Sequence, residues 1–265
     1  MAIHYVPTPL DGYAPGTLRH ALAQARDGDV IQCLWPSQVP LVLMSPLVLR
    51  QNDITLAGEL RVIGAGFGLH VTGDRVNIEH LRFTSVAGDA VMIDGPGASS
   101  CSVRGCLFVG GHPAEDEAVS VIRGAGAEGI SLVDCSFQGY AKVILVGTGD
   151  FEHAQSEANA KLFMERCHLK GNGRRHPRIR YGQAHLKDCT IADWGAVWKD
   201  FCAGIQASSG ARVDIENCKF KQRICRMLNP VRLARDLIAG GGPHRAVVAD
   251  SMSKVTGDHA IEWRW

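Results

Sequence analysis

The stretch RRHPRIRYG, residues 174–182, places four arginines and a histidine in nine positions of a chain whose formal net charge is only +1. Arginine presents a permanently charged planar fork that matches carboxylates and phosphates. A cluster of this kind can hold a nucleic acid, decorate a solvated edge, or do chemistry on an anionic substrate. If the stretch is a strand, Arg178 and Arg180 lie two apart and share one face. The scaffold that carries the cluster decides among these uses.

The bulk composition narrows the choice. Lysine plus arginine (28) nearly cancels aspartate plus glutamate (27) over 265 residues, so no global field favours nucleic acid or membrane. No recognisable nucleic-acid-binding motif occurs either. No apolar run approaches the roughly 18 residues that a membrane-spanning helix needs. The opening MAIHYVPTPLDGYAPG shows neither a basic nor an apolar leader region, so no signal peptide is visible. Nine cysteines are an odd count with no CxxC pair, which excludes zinc-ribbon and thioredoxin readings.

The cysteines instead mark a repeat. VNIEHLRF (76–83), CSVRGCLF (101–108), ISLVDCSF (130–137), LFMERCHL (162–169), AHLKDCTI (184–191) and VDIENCKF (213–220) share one pattern. An alternating apolar run is followed by two mostly polar residues, a cysteine (leucine in the first), and two residues later Phe, Leu or Ile. The equivalent positions are Leu81, Cys106, Cys135, Cys167, Cys189 and Cys218, spaced 25, 29, 32, 22 and 29 apart. Period-two alternation identifies strands, and no amphipathic helix separates them as a βα fold would require.

This pattern predicts an all-β chain, a single-stranded right-handed parallel β-helix with one phrase per coil. Equivalent residues then stack above one another, and the cysteines form an interior ladder of small buried thiols. TLRHALAQARDGD (17–29), apolar at 18, 21, 22 and 25, predicts a short helix capping the N-terminal end. Extra residues before Asp116 and between Gly147 and Lys161 belong to loops on one side of the coil. From Pro230 the tail predicts one helix (VRLARDLIAG) and then an irregular Trp-rich stretch. The expected organisation is one domain over 1–265: cap 1–30, β-helix core about 40–225, tail 226–265.

GTLRHALAQARDGDVIQ, ITLAG, GDAVMIDG, YAKVILVGTGD and RRHPRIRYGQAH, in that order, resemble family 1 polysaccharide lyases, the pectate and pectin lyases. The resemblance runs over residues 16–220. It is most specific at R-x-P-x-x-R-x-G-x-x-H, matched by Arg175, Pro177, Arg180, Gly182 and His185. It implies an enzyme that cuts homogalacturonan, an acidic polysaccharide, by β-elimination. A base removes the C5 proton of a galacturonate and the C4–O4 bond breaks, while cations stabilise the charge developing on the carboxylate. The resemblance assigns the base to Arg175, with Lys142 and Arg180 as catalytic and substrate-binding partners and Arg178 and Tyr181 beside them on the substrate. Arg174 and His176 are expected on the solvent side. With arginine as base, the rate is expected to climb into the alkaline range.

The family also implies Ca2+ between protein and uronate carboxylates. Asp89 and Asp116 match two of the usual four ligands, and Ala87 and Ser120 stand where the other two would be. Calcium takes six to eight oxygens, so weak or substrate-assisted binding is expected, with Asp94, Glu115 or Glu117 available to compensate. Arg104 and Gly105 replace a common Asp-His pair, and relatives stack asparagines where this chain stacks cysteines. Pectin lyases put an arginine in place of the metal, a part open here to Arg104 or Arg123, and line their clefts with aromatic residues. Tyr140, Phe151, Tyr181, Trp194 and Trp198 are available for that. The expectation is a monomeric, Ca-assisted lyase acting on polygalacturonate. The alternatives are a metal-independent pectin lyase and a non-catalytic β-helix that binds acidic polysaccharide. The family's substrate is extracellular, whereas nine cysteines with no visible pairing pattern point to a reducing compartment.

Overall fold

The computed structural model describes residues 1–222 except 37, 65, 67, 96–97, 113, 123–128, 148–159 and 197–202, together with strands at 237–239, 245–249 and 254–263. The chain winds as a right-handed parallel β-helix, as the phased repeat predicts. Three short strands make each coil, and the coils stack in register. One face is formed by Leu47–Leu49, Leu69–Val71, Val91–Ile93, Glu117–Val121, Lys142–Val146, Arg178–Arg180, Ala203–Ser208 and Arg245–Ala249, all parallel. The repeated phrases supply the other two faces. For the third phrase these are Ile130–Val133 and Ser136–Gln138, with the cysteine at the bend between them.

The bend has a local cause. The residue before each ladder position is left-handed: His80, Gly105, Asp134, Arg166, Asp188 and Asn217 all have φ between +49° and +61°. Glycine, aspartate, asparagine and histidine are the residues that accept this conformation most readily. Each of the first five donates its backbone N–H to a carbonyl of the next coil, at 2.9–3.0 Å. Arg166 is the costly member of the series, and it is tied across one coil by its Nε donating to Asp134 Oδ1 at 2.7 Å.

Inside the bend the expected ladder is present. Leu81, Cys106, Cys135, Cys167, Cys189 and Cys218 are each at most 2% exposed, and the cysteines are free thiols. They behave as hydrophobes with a weak donor: Cys135 Sγ reaches the Val103 and Val133 carbonyls at 3.4 Å, and Cys167 Sγ reaches Leu132 O at 3.3 Å. Outside the ladder, burial raises the Cys33 thiol to about 12 and the Cys101 thiol to about 11. Two residues on, Phe83, Phe108 and Phe137 stack nearly parallel at 4.9 and 4.7 Å between centroids. Leu169, Ile191 and Phe220 continue that column, fully buried. Each such side chain contributes about 1.5–3 kcal/mol on burial.

The predicted cap forms as a helix over Leu18–Gln24, shorter than the 17–29 stretch, with Thr17 Oγ1 accepting from His20 N. Leu18, Ala21, Leu22 and Ala25 are buried against the first strands, which begin at Ile3–Val6. The tail departs from the expectation. Of the stretch read as a helix, Leu237–Ala239 is a strand, antiparallel to Arg245–Ala249, and residues 231–236 lie outside the described part. Lys254–Trp263, expected to be irregular, pairs in parallel with Arg212–Gln222. The stacking surface offered by the preceding coil outweighs local helix preference there. Among the described residues no helix is long and apolar enough to cross a membrane.

Candidate active site

The face built from Glu117–Val121, Lys142–Val146 and Arg178–Arg180 brings together residues far apart in sequence. Glu117 pairs in register with Lys142, and Lys142 bridges to Arg174. Ser120, Leu145, Arg178 and Gln206 form the next column, and Arg180 stands beside Ser208. Ile179 is fully buried, so Arg178 and Arg180 on either side of it point outward together.

Arg175 is set by a bend. Its φ of +65° lies in the left-handed region, costly for a non-glycine residue by about 1–2 kcal/mol. The Arg174 and Arg175 carbonyls hold the bend by accepting from Val143 N (3.1 Å) and Ile144 N (2.8 Å). At the other end of the strand, Gly182 has φ +65°, and a Cβ there would run into the Ala160 carbonyl. The glycine of the motif is therefore a packing requirement. The Arg175 side chain is 12% exposed and its guanidinium pairs with Glu117, itself 3% exposed. Burial, with the charges of Arg178 and Arg180 nearby, lowers the Arg175 pKa to about 10, against an opposing pull from Asp89.

Lys142 pairs with Asp116, and burial together with Arg174 lowers its pKa. Asp89 accepts from Glu117 N at 3.0 Å and from Ser120 Oγ at 2.5 Å. Burial raises its pKa, opposed by the Ser120 bond and by the charges of Lys142 and Arg175. Ligand oxygens of Asp89, Asp116 and Glu117 all lie within 4.8 Å of one another. Three convergent carboxylates, hard and oxygen-rich, fit a Ca2+-type cation, with water or substrate completing the shell.

Of the three acids available to compensate for the missing ligands, only Glu117 joins the cluster. Glu115 accepts from the backbone N–H groups of Gly111 and Ala141, both at 2.7 Å, and Asp94 lies 3.9 Å from His70 Nε2. Ala87 is buried, and Ser120 serves Asp89. Arg104 projects from the exposed surface of Ser102–Arg104, on a different face of the coil, and cannot substitute for the metal. Arg123 lies outside the described residues.

Other expectations need correction. His176 is not on the solvent side. It is fully buried, with Nδ1 on the Ala203 carbonyl at 3.2 Å, and burial lowers its pKa to about 4. Tyr140 and Trp194 are interior too, Trp194 edge-on to Phe220 at 6.4 Å, so neither lines a cleft. Tyr181, 9% exposed with φ +57°, closes the turn after Arg180. Phe151 and Trp198 lie outside the described residues. The pairing of Glu117 with Arg175 had no signal in the sequence: all five residues of Glu117–Val121 are buried, so alternation cannot mark which side chain faces the cleft.

Solved structures similar to this one include pectate lyases. The structure of pectate lyase C from Erwinia chrysanthemi at pH 9.5 with 30 mM Ca2+ superposes with a TM-score of 0.62, at 15% identity, over 83% of this chain and 68% of that one. Pectate lyase II from Xanthomonas campestris gives 0.59 at 15% identity, over 99% of this chain and 80% of that one. For the thermostable pectate lyase PL 47 the values are 0.58 and 13%, and the match spans 82% of this chain but only 57% of that enzyme. No family model matches the sequence, and no curated protein does. The likeness is one of fold.

Proposed function

We propose that the protein is a polysaccharide lyase that cleaves polygalacturonate by β-elimination, with Arg175 as the base. The observation that carries this reading is the convergence of Arg175, Arg178, Arg180 and Lys142 on adjacent coils of one face, with the Arg175 guanidinium largely buried and its pKa lowered to about 10 by that burial and by Arg178 and Arg180. An ordinary arginine, charged at any accessible pH, has no lone pair with which to take a proton. At a pKa near 10 about 1% is neutral at pH 8, and that fraction grows tenfold per pH unit.

In the reaction, neutral Arg175 removes the C5 proton, the C4–O4 bond breaks, and the leaving oxygen takes a proton from solvent. Arg178 and Arg180 share the outward side of one strand, where their forks can clamp uronate carboxylates. Lys142, one coil back, adds positive charge where the enolate-like carboxylate develops. Tyr181 sets the turn that ends this strand. Asp89, Asp116 and Glu117 would hold Ca2+, which when bound supplies further positive charge to the substrate carboxylate.

A metal-independent reaction is a second reading, favoured by one feature: Asp116 and Glu117 already carry cations of the chain, Lys142 and Arg175. Polygalacturonate and highly methylated pectin, each incubated with calcium or with chelator, separate the cases by the ultraviolet absorbance of unsaturated product. Calcium-stimulated product from polygalacturonate is expected. Equal product in chelator moves the reading to the metal-independent enzyme, and no product from either polymer across neutral and alkaline pH overturns both.

A further inference from the structure

The carboxylates that suit a cation are the ones the site's own cations already hold. Asp116 pairs with Lys142 and Glu117 with Arg175, while Asp89 is bonded to a hydroxyl and a backbone N–H. All three place an oxygen within 4.8 Å of the others. A divalent cation entering there meets carboxylates already in use, and a carboxylate whose charge is drawn to a metal holds an ammonium or a guanidinium less strongly. We infer that Asp116 and Glu117 are exchange ligands: a bound divalent cation takes them from Lys142 and Arg175 and so turns both side chains over to the substrate.

This inference rests on the lyase reading for the use made of the released side chains, but the exchange is a property of binding alone. The two cations gate different partners. Glu117 and Arg175 are both nearly enclosed, with side chains 3% and 12% exposed, whereas Asp116 is about half exposed at 48%. Solvent screens the Lys142–Asp116 pair more strongly, so Arg175 is the stronger competitor for metal. Competition for shared carboxylates is reciprocal, so removing the competitor must tighten the cation by the factor with which it opposed binding.

The test is calorimetric titration of the full chain with Ca2+, without substrate. Arg175→Ala is expected to bind Ca2+ about 5- to 150-fold more tightly than the unmodified chain, the usual range of site coupling. Lys142→Ala is expected to show a smaller tightening, and Glu117→Gln a weakening. Arg212→Ala, which removes one positive charge from another face, controls for the overall field. In parallel, the Nε–Hε signal of Arg175, assigned by its loss in Arg175→Ala, should shift over the same Ca2+ range. Unchanged or weaker affinity in Arg175→Ala, equal tightening in Arg212→Ala, or an Arg175 signal indifferent to Ca2+ overturns the inference, as does absence of Ca2+ binding in every variant. No product is measured, so this outcome is independent of the lyase assay.

Discussion

Two columns run along the same solenoid and obey opposite rules. The inner one repeats: a thiol at each bend from Cys106 to Cys218, each almost fully buried and each bonded to a carbonyl of its own coil, with Cys106, Cys135, Cys167 and Cys218 also reaching a carbonyl of the preceding coil. The outer one does not repeat: Asp89 with Glu117, then Lys142, then Arg175, Arg178 and Arg180, drawn from four successive coils. Register is common to both. Where the sequence repeats, register produces redundant support, and where it varies, register produces convergence of unlike charges. A change in the first column should therefore reach stability and leave chemistry alone, and a change in the second should do the reverse.

The sharpest test is Arg175→Ala. Loss of a general base should lower the elimination rate by about 10²–10⁴-fold, with a urea midpoint close to that of the unmodified chain once Glu117→Gln also removes the carboxylate left enclosed and unpaired. A large fall in the midpoint would mean that the outer column also bears the fold. The unmodified protein should show a rate that rises with pH and levels near pH 10, because the neutral form of Arg175 is required and its pKa is about 10.

His176 crosses the boundary, standing in the arginine-rich stretch while its ring is in the interior. Its folded pKa, about 4, is below its ordinary value of 6.5. Between those values the unfolded chain binds more protons, so stability is complete above pH 6.5 and is lost as pH falls towards 4. The whole window is worth about 3 kcal/mol at about 1.4 kcal/mol per unit. Urea titrations at several pH values should show a shallower acid loss in His176→Leu, and equal slopes would place this ring outside the core.

Lys142→Met should reduce turnover about 10²-fold, as loss of one preorganised charge does, with little effect on folding. The smallest effect belongs to the ladder. Cys135→Ala removes one buried sulfur from a packed column and should cost about 1–2 kcal/mol, read as a lower urea midpoint, with turnover unchanged. In the same experiment the ladder thiols should react with a disulfide reagent only after unfolding, since burial shields them from the reagent.

Legibility in the sequence followed the same division. The β-helix could be read because its cause is local and recurrent: six times over, alternation, then a left-handed residue (suited to positive φ in every case but Arg166), then a buried side chain (a thiol in every case but Leu81). Arg175, Arg178, Arg180 and Lys142 could be read as a group because the motif places three of them within six residues and the fold stacks the fourth beside them. His176 was misplaced because alternation gives no phase through the bend that starts at Arg175. The tail was misplaced because its strands depend on an edge offered by the coil beneath. Glu117 was only one of three acids available, because a strand buried at every position shows no periodicity.

The sequence by itself therefore determined the coil, its buried thiol and aromatic columns, and the identity of the cationic residues, since each depends on side chains close together in the chain or repeated along it. Only the tertiary structure decided that Glu117 rather than Asp94 or Glu115 meets Arg175, that Lys142 engages Asp116, and that Arg175 is buried enough to lose its proton near pH 10. Those outcomes rest on contacts across 26 and 58 residues and on exclusion of water. Both arise only when the coils stack.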